Sequence, residues 1–156
     1  MKSKIISLST ALSASILIFN ACSKTDNADT TKPVINLLEP AQDDTLRIGE
    51  EVHLEMNLSD DVMLGSYKIE IHNNFNDHTH GSKAIAETSP FSFNRSWSLE
   101  GKRNATIHHH EIVIPENAQE GKYHLMVYCT DDAGNEAYVA RNVVLSHEGG
   151  SDHDHH

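Results

Sequence analysis

The sequence predicts an all-β fold, a single antiparallel β-sandwich of about seven strands. Strict alternation of apolar and polar residues is the first reason. Val52, Leu54, Met56 and Leu58 interleave with His53, Glu55 and Asn57, and Tyr123, Leu125, Val127 and Cys129 with His124, Met126 and Tyr128. A period of two gives each run one buried and one exposed face. The second reason is the regular recurrence of turn signals between short runs, and the third is that no comparably long segment carries a helical apolar stripe.

The elements follow in order. The first strand is the apolar run near Val34–Leu38, closed by Glu39-Pro40. The second is Val52 to Leu58, after Ile48-Gly49 and before Ser59-Asp60-Asp61. Tyr67, Ile69 and Ile71 form the third, alternating with Lys68, Glu70 and His72. Phe91, Phe93, Trp97 and Leu99 share one parity in the fourth, which Glu100-Gly101 ends. The fifth runs through His108 to Ile114, the sixth is Tyr123 to Cys129, and the last lies in Tyr138–Leu145. Pro115 to Gly121 and Asp131 to Asn135 supply the last two turns.

Residues 1–21 read as a signal peptide. Lys2 and Lys4 precede a mostly apolar stretch, Ile5 to Phe19, that is short for a bilayer span. Phe19-Asn20-Ala21-Cys22 resembles a bacterial lipobox, with Phe19 in the usual leucine position and Cys22 as the lipidated residue. Residues 22–32 are polar and read as a flexible tether, leaving 33–146 for one sandwich domain and 147–156 for a disordered His-rich tail. The anchor implies the cell envelope, attached to the outer membrane, on its periplasmic or its outer face.

The net charge of −11 offers no basic stripe for phosphates, which argues against nucleic acid. With Cys22 lipidated, Cys129 is the only remaining thiol, so no internal disulfide forms, and its parity makes it a buried small hydrophobe.

SDDVMLGSYKIEI and EGKYHLMVYCTDDAGN look like parts of bacterial Ig-like domains, with Tyr123 at the corner position that opens strand F in that fold. The lipobox, the Ile71–His80 stretch with its IH, HNNF, ND, H-T-H pattern, and IPENAQEGKY together resemble an uncharacterised family of Bacteroidota lipoproteins, domain-of-unknown-function family 4625. The resemblance covers almost the whole mature chain. It implies a single Ig-like sandwich and no established activity.

Function is then left to the histidines, eleven of which, out of twelve, follow residue 70. Imidazole is a common ligand of zinc and copper. His78-Thr79-His80 lies in a connection of about eighteen residues, and connections beyond ~12–15 residues without structure of their own are uncommon and often functional. If extended, that tripeptide places two imidazoles on one side with Cα atoms ~6.6 Å apart. In an Ig-like sandwich the third and sixth strands pair, making His72 and His124 cross-strand neighbours on an exposed face.

The candidate metal site is therefore His72, His78, His80, His110 and His124 with Asp77, holding zinc or copper(II). His108 and His110 share parity with Ile112 and Ile114, which puts at least one of them inward or at the rim. His153, His155 and His156 in the tail are candidate accessory ligands for ion capture. Exposed strand histidines also occur as ordinary solvated residues, and His72 or His124 alone could be that.

The expected function is a lipid-anchored, non-enzymatic protein that binds zinc or copper for acquisition or buffering. The alternative is an Ig-like interaction module, accessory to an outer-membrane receptor or an adhesin, with no essential metal. A metal-dependent hydrolase, with Glu70 or Glu111 as base, is a third reading. Asp60 and Asp61 should lie at the same end of the sandwich as Asp131, Asp132 and Asn135, where turn capping or calcium would account for them.

Overall fold

The computed structural model describes residues 28–75 and 88–148. All regular structure among them is strand: β1 (Val34–Glu39), β2 (Asp44–Arg47), β3 (Glu51–Asn73), β4 (Phe93–Val113), β5 (Gly121–Asp131) and β6 (Glu136–Ser146). The expected all-β sandwich architecture holds, with six elements rather than about seven short strands. The turn signals at Ser59-Asp60-Asp61 and Glu100-Gly101 bend the chain without ending a strand, so β3 and β4 run 23 and 21 residues.

The physical reason lies in Asp60. Its Oδ1 accepts the N–H groups of Val62 and Met63 at 2.9 and 2.7 Å, satisfying backbone donors where the ladder is interrupted. The β3–β4 register shifts there twice, between Ser59 and Leu64 and between Leu64 and Ser66, and Gly101 in β4 takes φ 79° at the same level. Both long strands bend together, and their hairpin passes from one layer to the other.

One layer is then β1, the first half of β3 and the second half of β4. The other is β2, β6, β5, the second half of β3 and the first half of β4. Among the described strands, every pairing is antiparallel except β2 with β6, which is parallel from Asp44↔Val143 to Arg47↔Ser146. That pair departs from a purely antiparallel sheet because the chain crosses between layers after Glu39 instead of turning back in a hairpin.

The curled sheet encloses one core. Leu54, Met56 and Leu58 from the first half of β3 meet Ile69 and Ile71 from its second half, Leu125 and Val127 of β5, Leu145 of β6 and Ile112 of β4. All are essentially fully buried, and each such aliphatic side chain stabilises the fold by about 1.5–3 kcal/mol. Cys129 is buried in the same row, and burial pushes its thiol up to about 11, so it behaves as a small apolar residue. Tyr123 holds the corner: its hydroxyl donates to the Gln119 carbonyl at 2.7 Å and accepts from the Phe91 N–H at 3.2 Å. The end of the expected tether is docked rather than free, since Thr31 Oγ1 bonds Asp61 Oδ2 and the Asp29 carbonyl accepts from Asn135 Nδ2.

Candidate metal centre

The residues that position the centre are those of a bulge between β3 and β4. Val52 faces Ile112 and Leu54 faces His109, so the single residue His53 lies opposite two, His110 and Glu111. An extra residue in one strand inverts the inside–outside phase beyond it. Ile112 and Ile114 therefore point into the core, while on the other side of the bulge His109 takes the inward parity and His108 turns outward with His110. This corrects the expectation that His108 or His110 is inward or at the rim.

Three imidazoles meet on the outer face. His53, half-buried, stacks on His110 with ring centroids 5.0 Å apart, and lies 4.8 Å from the ring of His108, which is itself 5.6 Å from His110. One nitrogen from each ring lies within 4.8 Å of the other two. Tetrahedral zinc with bonds of about 2.0–2.1 Å needs its nitrogens roughly 3.3 Å apart, so the rings would draw inward on binding an ion. This histidine cluster can hold a metal ion and would leave at least one coordination position open.

The electrostatics suit a cation. Burial lowers the pKa of His53 first, and the neighbouring His110 and His108 lower it further, against a smaller opposing effect of Glu55 and Glu39. A neutral ring is the form that binds metal. Glu55 sits opposite His108, and Glu39 opposite Glu55, so two carboxylates flank the cluster on the same layer. An incoming ion would meet the neutral ring of His53, in the form able to ligate it, within that negative field.

His109 has a different role. Its ring packs 5.1 Å from Trp97, which in turn stacks on Tyr67 at 4.8 Å. Its Nδ1 accepts the Glu111 N–H at 3.3 Å, its Nε2 is buried, and burial is the main cause lowering its pKa. It packs the edge of the sandwich as a neutral ring.

The other expected site residues fall elsewhere. His72 and His124 are direct cross-strand partners, as their register required, with rings 5.4 Å apart in a T-shape. His124 Nε2 is 2.9 Å from Asn74 Nδ2, an amide that can only donate, so that nitrogen accepts. Glu70 beside them is engaged by Lys68 at 3.2 Å and Asn94 at 2.8 Å. This pair lies at the opposite end of β3 from His53, so His110 belongs with His53 and His108 and not with His72 and His124. Asp77, His78, His80, His153, His155, His156 and Cys22 lie outside the described residues.

His53 was the ligand candidate that sequence reading missed. The usable signal was its outward parity with Glu55 on a strand that an Ig-like topology pairs with the strand bearing His108 to His110.

The family model described as "Domain of unknown function (DUF4625)" matches residues 20–146. The chain belongs to this family. The match spans every strand of the sandwich and all three clustered histidines, so this DUF4625 chain carries its candidate metal centre within the family domain. No curated protein matches the chain.

Proposed function

We propose that this DUF4625 protein binds a divalent transition metal ion, zinc or copper(II), through His53, His108 and His110, and captures or buffers it at the cell envelope. The observation that carries the reading is the convergence of one nitrogen from each of three imidazoles, drawn from two strands by a bulge. A His₃ set with an open position suits zinc, and imidazole with water or carboxylate suits tetragonal copper(II). His108 and His110 are exposed, which favours exchange of the ion with solvent or a partner over permanent structural retention. His72 with His124, and the histidines of residues 76–87 and 149–156, would serve as further capture points. The lipobox-like segment ending at Cys22 supports a lipid anchor to the outer membrane, with the part of the tether that precedes the docked Asp29 to Thr31 stretch setting the reach of the domain.

The test is calorimetric titration of zinc and copper(II) into chain truncated after Glu148 and purified without a metal-affinity column. The expected outcome is about one equivalent bound with micromolar or tighter affinity, abolished in the triple substitution of His53, His108 and His110 by alanine. Equal binding by the triple variant, or no binding by the parent, removes this site.

A further inference from the structure

A second cluster of a different chemistry lies where β3 bends. Asp29 from the entry segment, Asp60 from the bend and Asp131 from the end of β5 each place a carboxylate oxygen within 4.8 Å of the other two. Asp131 is 4 % exposed. Both its oxygens are oriented by Asn135, whose N–H and Nδ2 each donate at 2.7 Å. Asn135 Nδ2 also bonds the Asp29 carbonyl at 3.0 Å, and Asp29 Oδ1 accepts the Thr31 N–H at 2.9 Å.

Turn capping explains one oxygen of Asp60 and leaves the other. Oδ1 accepts from Val62 and Met63, but Oδ2 is enclosed, with no hydrogen-bond partner among the described residues. An enclosed carboxylate oxygen with nothing to bind is costly, and two more carboxylates around it raise the cost. None of the three takes part in the ion pairs Arg47–Glu50, Lys68–Glu70 or Arg95–Glu111 of the described residues. The negative field reaches the neighbouring thiol, since Asp60 and Asp131 add to burial in raising Cys129.

We infer that Asp29, Asp60 and Asp131 form a calcium site. The donors are all hard oxygens, three carboxylates in number, and the geometry is assembled from three separate segments, which suits the six to eight ligands and flexible shell of Ca²⁺ better than the tight octahedron of Mg²⁺. Bound calcium neutralises the cluster, gives Asp60 Oδ2 its missing partner, and fastens the entry segment to the β3 bend and to the turn between β5 and β6. The ion thereby fixes the direction in which the domain leaves the chain that precedes it. The site shares no residue with the histidine cluster and is independent of it.

Full-length chain is stripped with a chelator and titrated with calcium chloride, by calorimetry and by thermal unfolding. The expected result is one equivalent bound, with a melting temperature raised by roughly 5 °C or more at about 5 mM calcium. Asp60→Asn and Asp29→Asn each weaken calcium at least about ten-fold and leave zinc binding unchanged, while His53→Ala leaves calcium binding unchanged. Asp29 precedes β1, so Asp29→Asn keeps the test decisive if Asp60→Asn folds poorly, as circular dichroism would reveal. Absence of heat and of a melting shift at about 5 mM calcium overturns the assignment, as does calcium affinity unchanged from the parent in both aspartate variants.

Discussion

His53 lies against His110 in a near-parallel stack, ring planes 14° apart, because a bulge sets one residue of β3 opposite two of β4. The same bulge sends the intervening His109 to the other face. Position in the triplet HHH thus separates candidate ligands from packing. His53→Ala and His110→Ala should each lower zinc affinity roughly 100-fold or more, since losing even an outer-shell partner costs 10–100-fold. His109→Ala should change affinity less than about three-fold but destabilise the fold by about 1 kcal/mol through the lost Trp97 contact. Competition against a chromophoric chelator, with urea melts alongside, separates the two effects.

Tyr123 shows how a single hydroxyl holds the corner. It is fully buried and bonded to both Gln119 and Phe91. Tyr123→Phe keeps the ring but leaves a buried N–H and a carbonyl short of partners, so unfolding free energy should drop by about 1–3 kcal/mol. A fall in urea midpoint with unchanged slope is the expected signature.

Much of this fold is legible in the alternation of the sequence, and the parts that are not share one cause. Alternation identifies which face of a strand is buried, and so it anticipates Tyr123, the His72–His124 pair and the burial of Cys129. It cannot register an inserted residue: the phase inversion between Ile112 and His109 exists only once β4 is set against Val52 and Leu54. His53 was passed over for the same reason, being one polar residue in an ordinary strand until long-range pairing gives it neighbours. The continuity of β3 was hidden because Ser59-Asp60-Asp61 reads as a stop, whereas the Asp60 side chain lets the strand bend and proceed. The parallel β2–β6 pair is likewise a property of the crossing and not of either strand.

Tyr67 should give the protein an alkaline limit. Burial, reinforced by Glu111 and opposed by Arg95, pushes its hydroxyl from 10.0 up to about 12. The raised value means the folded state keeps a proton that the unfolded chain releases. Its contribution is therefore complete below pH 10 and is lost as pH rises towards 12, amounting to at most about 2.7 kcal/mol at 1.36 kcal/mol per unit. Urea melts between about pH 9 and 11.5 should show falling stability in the parent and a flatter profile in Tyr67→Phe.

Gly65 tests how closely β3 and β5 must pack at the bend. It sits between the Leu64↔Asp131 and Ser66↔Thr130 pairings, at a register shift. A Cβ there would lie 2.8 Å from the Asp131 carbonyl oxygen and 3.1 Å from that of Thr130. Both obstacles are backbone atoms in a paired strand, so relief requires moving β5 itself. Gly65→Ala should cost about 1–3 kcal/mol by overpacking. Gly101→Ala is the control, because nothing lies within 4 Å of its Cβ and only the positive φ is strained, at about 1–2 kcal/mol. If the bend also sets the Asp29, Asp60 and Asp131 cluster, Gly65→Ala should weaken calcium binding while Gly101→Ala does not, because only the first displaces the backbone that carries Asp131.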